Sequence, residues 1–564
     1  MLAMAKRYAL LVACILAIAF LAVALYYPFL HNALVFDDQN FFPTLHVYDA
    51  AQTAFNFVPR TFPYFTLGFI HVLFNSVEAN RIFSLSLHVL TAWVLFALLY
   101  VWLRLASHPE PNERTVNKQA AFVAFSGAAW FAISPVAVYG AGYLIQRTIL
   151  FATFFSLLSL WYFTRAFREN RTQDLITAAL FYSAAVFSKE HAIMLPLAAA
   201  VFAQLHQAEW RVKLKRIAIY LALCLPAAIA VLISMKYVVA TRYEVSGGDV
   251  ASQIKNLPLI HSALGAWLVS AVIQANLFFD YIKFWLLPDV GTMSADMRID
   301  FTAMWNDAKI FPLVAFFLAL PLAGLYLTRR SGPAALFGCG LLYAWLLYMT
   351  ELSTVRLQEP FVLYRSYLWA PGFVVMALAL LSRLRWPIVL GIFVLTIPRV
   401  MTSSENRLES LSSEGKVWHD AAAKLRSASM PGSDRIFYNL GLQQLRDKAY
   451  LDAIQSFTSS IRQNPKVSQS YYQRGSAHYA LHEYVPAMAD LDRAIELNGQ
   501  FGAAHYARGL VFEQFGCFNE ARQAYLASRD LGLTVATLKL RALENDRPKQ
   551  DQTKRAPERR PFCD

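Results

Sequence analysis

The stretch YQRGSAHYALHEYVPA, from Tyr472 to Ala487, decides the fold of the C-terminal part of the chain. The same spacing of Tyr, Gly, a second aromatic residue and Ala occurs over 438–453 and over 506–521. Both copies are equally far from this stretch along the chain. Internal repetition at a fixed period of this length is the sequence signature of stacked helical units. The sequence therefore predicts a helical repeat module after residue 400.

A period of about 34 residues with small residues at fixed places is the tetratricopeptide pattern. Gly475 and Ala487, with their equivalents in the other repeats, allow the two helices of each pair to pack closely. We predict three such repeats over 436–540, in an α-solenoid whose concave face binds protein segments. A spacer or an oligomerisation surface is the alternative. Residues 401–435 are expected to form a helical lead-in, and the polar, basic tail 541–564 is expected to be disordered.

The composition of the whole chain indicates a membrane protein. Of 564 residues, 57% are hydrophobic and only 16% are charged, which is far from a soluble globular average. The net charge of +13 could suggest a nucleic-acid partner. However, Lys and Arg cluster at alternate ends of successive apolar segments, as the positive-inside rule requires. We therefore expect contact with membrane lipid and no nucleic acid.

Residues 1–400 are predicted to form a polytopic, all-α membrane domain of about eleven transmembrane helices. Residues 263–287 are also apolar enough to cross, but they include Asp280 and Lys283. A crossing there would invert every later loop, so an interfacial or re-entrant helix on the outer face is preferred. The predicted spans are 8–26, 82–103, 119–134, 148–164, 174–188, 192–209, 217–235, 309–328, 333–350, 367–382 and 386–400.

An odd number of crossings places the repeats outside the cytoplasm if the N-terminus is inside. The expected location is a bacterial inner membrane with the repeats in the periplasm, and the alternative is the ER membrane with the repeats in the lumen. The five cysteines are scattered without a CxxC pair. They predict neither a disulfide framework nor a zinc site, but small apolar packing residues.

Two adjacent carboxylates, Asp37 and Asp38, follow the first predicted span. Paired acids at a membrane surface are costly unless they are solvated or have a function. In an extended chain neighbouring side chains point to opposite sides, so one could face a substrate while the other holds the loop or a metal. A positioned carboxylate could act as a general base on a hydroxyl nucleophile. A pair of solvated loop acids is the alternative.

Three arginines lie in the predicted outer loops: Arg60, Arg147 and Arg365. A planar guanidinium suits phosphate binding, and an anchor for lipid headgroups is the alternative at each position. Arg365 opposes the topological bias against outer basic residues and so needs a counter-anion. A lipid-linked phosphate would serve, and Glu359 is the simpler partner.

The shortest outer loop contains Lys189, Glu190 and His191 in succession. Three ionisable residues between two apolar helices suggest a functional site, although a tight charged turn would also explain them. Lys189 could contact a leaving phosphate. Glu190 could bind a sugar hydroxyl, a metal or Lys189, and Glu190 and His191 are predicted to bind substrate.

These pieces together resemble the TMTC-type protein O-mannosyltransferases and their bacterial relatives, glycosyltransferases of the GT-C class. The resemblance covers residues 1–540. Asp37–Asp38 match the family's acidic motif in the first loop, and Ser188-Lys189-Glu190 matches its Ser-Lys-Glu motif. Arg60, Arg147 and Arg365 stand where the family has arginines in its loop motifs. The chain departs from the family at Tyr364, where a Glu precedes the last of these arginines.

The resemblance implies transfer of one sugar from a polyprenyl-phosphate carrier to a Ser or Thr hydroxyl of a protein, with inversion, on the extracytoplasmic side. Asp37 or Asp38 would be the general base, and Lys189 and the three arginines would bind the donor phosphate. No cofactor is required, and a divalent metal is possible. The acceptor, for example a pilin or another envelope protein, would dock on the repeats. A non-catalytic scaffold that recruits envelope proteins and a transporter are the competing hypotheses.

Overall fold

A computed structural model describes residues 2–44, 46–53, 58–107, 117–236, 250, 252–254 and 257–545. Within these ranges every regular element is a helix, and the one β-type contact is an isolated antiparallel bridge between Met297 and Phe361. The chain divides into two compact units, residues 1–417 and 418–564. The protein is thus all-helical, as the sequence predicts.

The first unit begins with helices on both sides of the acidic pair. The segment 27–81 was expected to be a loop, but it contains three short helices and the start of a fourth. Its α4 is an apolar helix of 14 residues. The helices up to residue 236 are α1 Leu2–Tyr26, α2 Asp37–Phe41, α3 His46–Ala51, α4 Thr61–Phe74, α5 Val77–Ser107, α6 Lys118–Ile133, α7 Pro135–Ala141, α8 Arg147–Arg168, α9 Gln173–Ser188, α10 Leu195–Phe202 and α11 Trp210–Ser234.

The remaining helices of the first unit lie beyond residue 262. They are α12 Ala263–Leu286, α13 Phe301–Trp305, α14 Ile310–Thr328, α15 Pro333–Leu352, α16 Ala370–Leu381 and α17 Trp386–Ser410, and α18 Glu414–Ala423 runs across the boundary between the units.

Eight helices of the described chain are long and apolar enough to cross a membrane, or nine if the bent pair α6 and α7 counts as one. Eleven were expected. At 1.5 Å per residue, the 16 residues of α9 and the 12 of α16 fall short of a hydrocarbon core of about 30 Å. The predicted span 192–209 is broken into α10 and flanking 3-10 turns. Segment 263–287, expected to be interfacial, forms α12 and passes the same test of length and composition.

The contacts of α12 nevertheless lie toward one end of the bundle. Trp267 donates to the Leu352 carbonyl at the end of α15, at 2.9 Å, and Asn276 lies 3.4 Å from the Ile310 carbonyl at the start of α14. Farther along α12, the backbone carbonyl of Trp285 accepts from Trp130, which is near the end of α6. These three contacts lie near the ends of the neighbouring helices, and the interfacial placement of α12 stays a prediction.

A buried, largely non-helical segment connects α15 to α16. Polar side chains of α12 and α15 satisfy its backbone, because a buried peptide group needs a partner. The Tyr281 hydroxyl donates to the Val362 carbonyl and accepts from the Val362 amide, both at 3.0 Å. Gln274 donates to the Pro360 carbonyl at 2.6 Å, and Tyr343 to the Leu368 carbonyl at 3.1 Å. This segment carries Arg365.

The second unit contains the helix pairs that the repeated pattern predicts. The second helices of the three pairs start at Tyr450, Tyr484 and Phe518, so they recur at one constant step, equal to that of the sequence pattern. A seventh helix extends to Asn545, beyond the predicted repeat boundary at 540. The helices are α19 Ser433–Arg446, α20 Tyr450–Gln463, α21 Ser468–Ala480, α22 Tyr484–Leu497, α23 Gly502–Phe515, α24 Phe518–Asp530 and α25 Val535–Asn545.

The small residues of the pattern mark close helix contacts. A Cβ on Gly509 would lie 2.5 Å from the Tyr525 ring, and one on Gly441 would lie 2.8 Å from the Phe457 ring. The repeated alanines, of which Ala487 is one, are fully buried. The predicted disordered tail lies outside the described residues from 546 onward.

The described cysteines are of two kinds, free and disulfide-bonded. Cys14, Cys224 and Cys339 are free and buried, in agreement with their predicted packing role. Cys517 is disulfide-bonded, so the expectation that no cysteine forms a disulfide was wrong there. Sequence spacing could not reveal this bond, because pairing depends on which distant residue the fold brings near.

Candidate functional site

Asp38 is a buried carboxylate that fixes the first loop to the second. It lies in the first turn of α2 and is 1% exposed. Its two oxygens accept hydrogen bonds from the backbone amides of Leu144, at 3.1 Å, and Ile145, at 2.8 Å. Burial raises the pKa of Asp38 to about 7, against the lowering effect of these two bonds and of Arg81. The carboxylate thus holds the loop together.

Asp37 has the opposite environment from its neighbour. Its side chain is exposed, while its backbone amide donates to the Tyr143 hydroxyl at 3.0 Å. The preceding residue, Phe36, has φ 52° and ψ −131°, a conformation that non-glycine residues rarely adopt. The pair is therefore divided, with one carboxylate held inward and the other exposed, although both residues lie in the first turn of α2 and not in the extended chain that the sequence argument assumed.

Arg60 and Glu190 form an ion pair between two loops. The guanidinium of Arg60 binds both carboxylate oxygens of Glu190, with 3.0 Å between Nε and Oε2. The Arg60 amide donates to the Phe187 carbonyl at 2.6 Å, and its φ of 70° is left-handed. Burial alone would raise the pKa of Glu190, but Arg60 and His191 hold it well below its ordinary value. Glu190 is thus a charged partner of Arg60, and no contact joins its carboxylate to Lys189.

His191 connects this pair to a second one. Its ring nitrogens lie 3.3 Å from a Glu190 oxygen and 3.2 Å from a Glu351 oxygen, and both carboxylates are buried. The other oxygen of Glu351 accepts from Arg365 at 3.1 Å. Arg365 also donates to Glu359 at 3.3 Å, the simpler counter-anion named from the sequence. Arg60, Glu190, His191, Glu351 and Arg365 thus form one continuous chain of ionisable groups.

Lys189 is buried beside this chain but is not neutralised by it. Within the described part of the protein its ammonium makes no hydrogen bond or ion pair, and it lies 5.7 Å from the centre of the Tyr364 ring. Burial, followed by the nearby Arg60 guanidinium, lowers the pKa of Lys189 to about 7, although Glu190 acts in the opposite direction. A buried ammonium among guanidinium groups would be stabilised by an added anion.

Two tyrosines connect the acidic loop to the cationic group. Tyr143 accepts from the Asp37 amide. Burial, the Asp38 and Asp37 carboxylates and, more weakly, Tyr364 raise the pKa of Tyr143 well above its ordinary value. Tyr364 in turn lies against Lys189. Tyr143 thus adjoins the acidic pair, Tyr364 adjoins Lys189, and the two tyrosines interact electrostatically, although about 150 residues separate Asp38 from Lys189 in the sequence.

Arg147 differs from the other predicted phosphate ligands. Its guanidinium is fully buried and donates to Ser84 at 3.1 Å, to Thr66 at 3.3 Å and to Asn80 at 2.6 and 2.9 Å. It also lies over the Phe83 ring. These contacts tie α8 to α4 and α5. They argue against the predicted role of Arg147 as a phosphate ligand or a headgroup anchor, since either role requires an accessible guanidinium.

Three residues of this region were not nominated from the sequence. Glu351 is the carboxylate between His191 and Arg365, and Arg356 lies 3.5 Å from the same carboxylate. Tyr143 carried no sequence signal, since an isolated tyrosine in an apolar stretch resembles any packing residue. Among the described residues, no group of three or more His, Cys, Asp and Glu side chains is arranged to hold a metal ion.

Comparison with known proteins supports the repeats and leaves the first unit unidentified. No family model matches the chain. Human neutrophil cytosol factor 2, a tetratricopeptide-repeat protein, is 32% identical over 108 residues, which are 19% of this chain and 20% of that protein. The mouse and bovine proteins are each 31% identical over 108 residues. The chain spans about a fifth of the length of these curated relatives.

Solved structures add little. The crystal structure of the APC/C hetero-tetramer Cut9-Hcn1 aligns with 90% of this chain and 94% of its own, at 12% identity and a TM-score of 0.25. A superposition of that quality carries no argument about fold.

Proposed function

We propose that this chain is an integral-membrane glycosyltransferase of the GT-C class. It would move one sugar from a polyprenyl phosphate to a Ser or Thr hydroxyl of a protein, and its tetratricopeptide repeats would present that protein. The observation that carries the proposal is that an exposed carboxylate, Asp37, adjoins Tyr143 and a buried ammonium, Lys189, adjoins Tyr364, a residue that acts electrostatically on Tyr143.

The chemistry follows from this arrangement. Asp37 takes the proton of the acceptor hydroxyl as its oxygen bonds to C1 of the sugar, because an alcohol is a weak nucleophile at neutral pH. The bond between C1 and the phosphate oxygen breaks, and the polyprenyl phosphate leaves with the electron pair. Fixed cations stabilise that leaving group. Lys189 suits this role because, among the described residues, its buried ammonium forms no ion pair. Attack opposite the leaving group inverts C1. No step is assigned to a metal ion.

Arg60, Arg365, Glu190 and His191 have supporting roles in this scheme. Both arginines are already paired with carboxylates, so they contribute positive potential near Lys189 and orient the loop more than they clamp a phosphate. Glu190 and His191 lie in the same buried chain, where a sugar hydroxyl that reached them would meet acceptors held in fixed positions.

The surfaces of the first unit support a membrane location. Several long helices expose large apolar side chains that water would not favour, including Leu322 at 71% and Leu395 at 82% exposure. The chain leaves this unit at the end that carries the acidic pair, since Asn32 donates to the Leu408 carbonyl at 3.0 Å. Repeats on that side would be extracytoplasmic. The disulfide at Cys517 supports this placement, because disulfides persist in oxidising compartments. A bacterial inner membrane remains the proposed location and the ER membrane the alternative.

A non-catalytic scaffold is the second candidate function. The repeats and their similarity to neutrophil cytosol factor 2 favour it, since stacked repeats of this kind bind protein segments. A scaffold would not need the acidic loop, and it would tolerate the loss of either carboxylate.

Intact mass of envelope proteins separates the two functions. Cells that lack the chain should lose an increment of one monosaccharide from at least one protein, and the wild-type gene should restore it. Asp37→Asn should fail to restore it at a normal membrane level. Asp49→Asn, which removes an exposed acid from the same segment, is the matched control and should restore it. An unchanged mass profile in cells that lack the chain would refute the transferase and favour the scaffold.

A further inference from the structure

Two consecutive backbone amides position Asp37, and each donates to a side chain from a distant part of the first unit. The Asp37 amide donates to Tyr143, as described above. The Phe36 amide donates to the Oε2 atom of Glu414 at 3.2 Å, across 378 residues of sequence. The two partners therefore hold the peptide groups on either side of Phe36, the residue that precedes the proposed base.

The conformation of Phe36 shows why such support is needed. With φ at 52°, a non-glycine residue is strained, and such a conformation persists only where the surroundings enforce it. Its ring also lies 5.7 Å from that of Tyr143. The direction in which the Asp37 side chain leaves the backbone depends on this one residue.

Other contacts bind the same loop to the chain that precedes Glu414. The Ala33 amide donates to the Ser412 carbonyl at 3.0 Å, and Asn32 donates to Leu408. The segment 408–414, which runs from the last turn of α17 to the start of α18, thus lies alongside 32–36 and contacts it at three successive points. Glu414 is the contact closest to Asp37.

We propose that Glu414 is a positioning residue for Asp37, an inference that rests on the proposed transferase function. Its carboxylate holds the Phe36 amide and so keeps the strained turn in the form that directs Asp37 outward. Glu414 itself touches no reacting atom in this scheme. Glu414 supplies one hydrogen-bond acceptor to the Phe36 amide, and the side-chain amide oxygen of a glutamine could supply the same acceptor.

The chain offers matched variants for a test. Glu414→Ala removes the acceptor, while Glu414→Gln keeps an acceptor oxygen and removes the charge. Glu409→Ala is the control, because Glu409 is a carboxylate of the same segment whose side chain pairs with Lys416 instead of the loop. Each variant would be made in the full-length protein and compared at equal membrane level.

The first measurement is sugar transfer in membranes that contain each variant. The acceptor is an envelope-protein extract from cells that lack this chain, and the readout is the initial rate of appearance of the one-monosaccharide mass increment. We expect Glu414→Ala to lower the rate on the order of tenfold, as the loss of one charge-assisted hydrogen bond implies. Glu414→Gln should restore most of the rate, and Glu409→Ala should leave it unchanged. A rate for Glu414→Ala equal to that of Glu409→Ala, or a failure of Gln to rescue, would overturn the proposal.

The second measurement does not depend on activity. Hydrogen–deuterium exchange of the purified full-length protein should show faster exchange over 34–40 in Glu414→Ala only. Unchanged exchange there would refute the contact. If Asp37→Asn transfers sugar normally, the proposed function fails while exchange still reports on the contact. If Asp37→Asn is inactive and exchange is unchanged in Glu414→Ala, the inference alone fails.

Discussion

At the scale of single residues, two neighbouring aspartates occupy opposite environments. Asp37→Asn should abolish sugar transfer with little change in unfolding temperature, because the exposed side chain supports no other group. Asp38→Asn should lower stability by about 1–3 kcal/mol, since an amide in place of the carboxylate presents a donor to one of two buried N–H groups. Thermal unfolding and transfer assays on both variants check this. Equal effects of the two substitutions on stability would contradict the division of roles.

If Lys189 binds the donor phosphate as proposed, the affinity for the donor should depend on pH. With its pKa lowered to about 7, the ammonium is protonated in mildly acidic solution and mostly neutral above that pH. Binding of a polyprenyl-phosphate sugar, a phosphodiester of constant charge, should therefore weaken as the pH rises through about 7. Lys189→Arg keeps its charge at every such pH and should remove the dependence. A titration of donor binding in detergent micelles provides the measurement, and a flat profile in the wild-type protein would contradict it.

Sequence reasoning placed the charged residues in loops between the apolar segments, although Asp37 and Asp38 lie in the short helix α2, and it could not assign their partners. It placed Asp37, Asp38 and Lys189 in loops, because ionisable residues are excluded from apolar segments. It could not separate Arg147, which the fold buries among neutral acceptors, from Arg60, which the fold pairs with Glu190. Pairing depends on three-dimensional neighbours about 65 to 130 residues away. No local pattern records them.

At the scale of helices, the repeats depend on small residues at the points of closest approach. Gly509→Ala should destabilise the repeats by about 1–3 kcal/mol, because the new methyl group would meet the buried Tyr525 ring at 2.5 Å. Gly499→Ala is the control, since the nearest atom to its new Cβ is 4.0 Å away. Limited proteolysis of the full-length protein during a temperature ramp reports on the repeats. Equal resistance of the two variants would contradict the packing argument.

The segment between α15 and α16 depends on side chains from a neighbouring helix. Tyr281→Phe removes the hydroxyl that serves both the amide and the carbonyl of Val362. We expect a loss of about 1–3 kcal/mol for each buried group left without a partner, seen as a lower unfolding temperature. Tyr27→Phe, at an exposed tyrosine, should have no effect. An unfolding temperature for Tyr281→Phe that matches the control would show that the two backbone groups find other partners.

Helix lengths were the least predictable feature at this scale. A hydropathy pattern marks apolar residues, but it does not distinguish a straight span from a shorter helix joined to a buried irregular segment. The predicted span 367–382 is such a case, because only Ala370–Leu381 is α-helical and it follows a buried 3-10 helix, Leu363–Tyr367, and two irregular residues. Their backbone is satisfied by Tyr281, Gln274 and Tyr343, all distant in sequence. The repeats were predictable because their period repeats the same local packing three times.

At the scale of the whole molecule, the proposal requires the repeats and the acidic loop to lie on the outer side of a membrane. The ends of α1 and α17 meet, since segment 30–36 contacts segment 408–414, so both ends belong to one side of the first unit. No helix from 418 to 545 is among those long and apolar enough to cross. In the proposed topology the chain therefore leaves the membrane on that side before the repeats begin. The basic start of α11 should lie on the opposite side, where the positive-inside rule places Arg211 and Lys215.

Cysteine accessibility tests this arrangement. Gln523 on α24 and Lys215 on α11 are both exposed, and Cys14, Cys224 and Cys339 are buried and should react slowly. In intact spheroplasts a membrane-impermeant maleimide should label Gln523→Cys, and it should label Lys215→Cys only after lysis. The contrast arises because a charged reagent cannot cross about 30 Å of hydrocarbon. Labelling of Lys215→Cys in intact spheroplasts, or protection of Gln523→Cys until lysis, would place the repeats in the cytoplasm. A donor sugar and an acceptor protein on the outer side could then not reach Asp37.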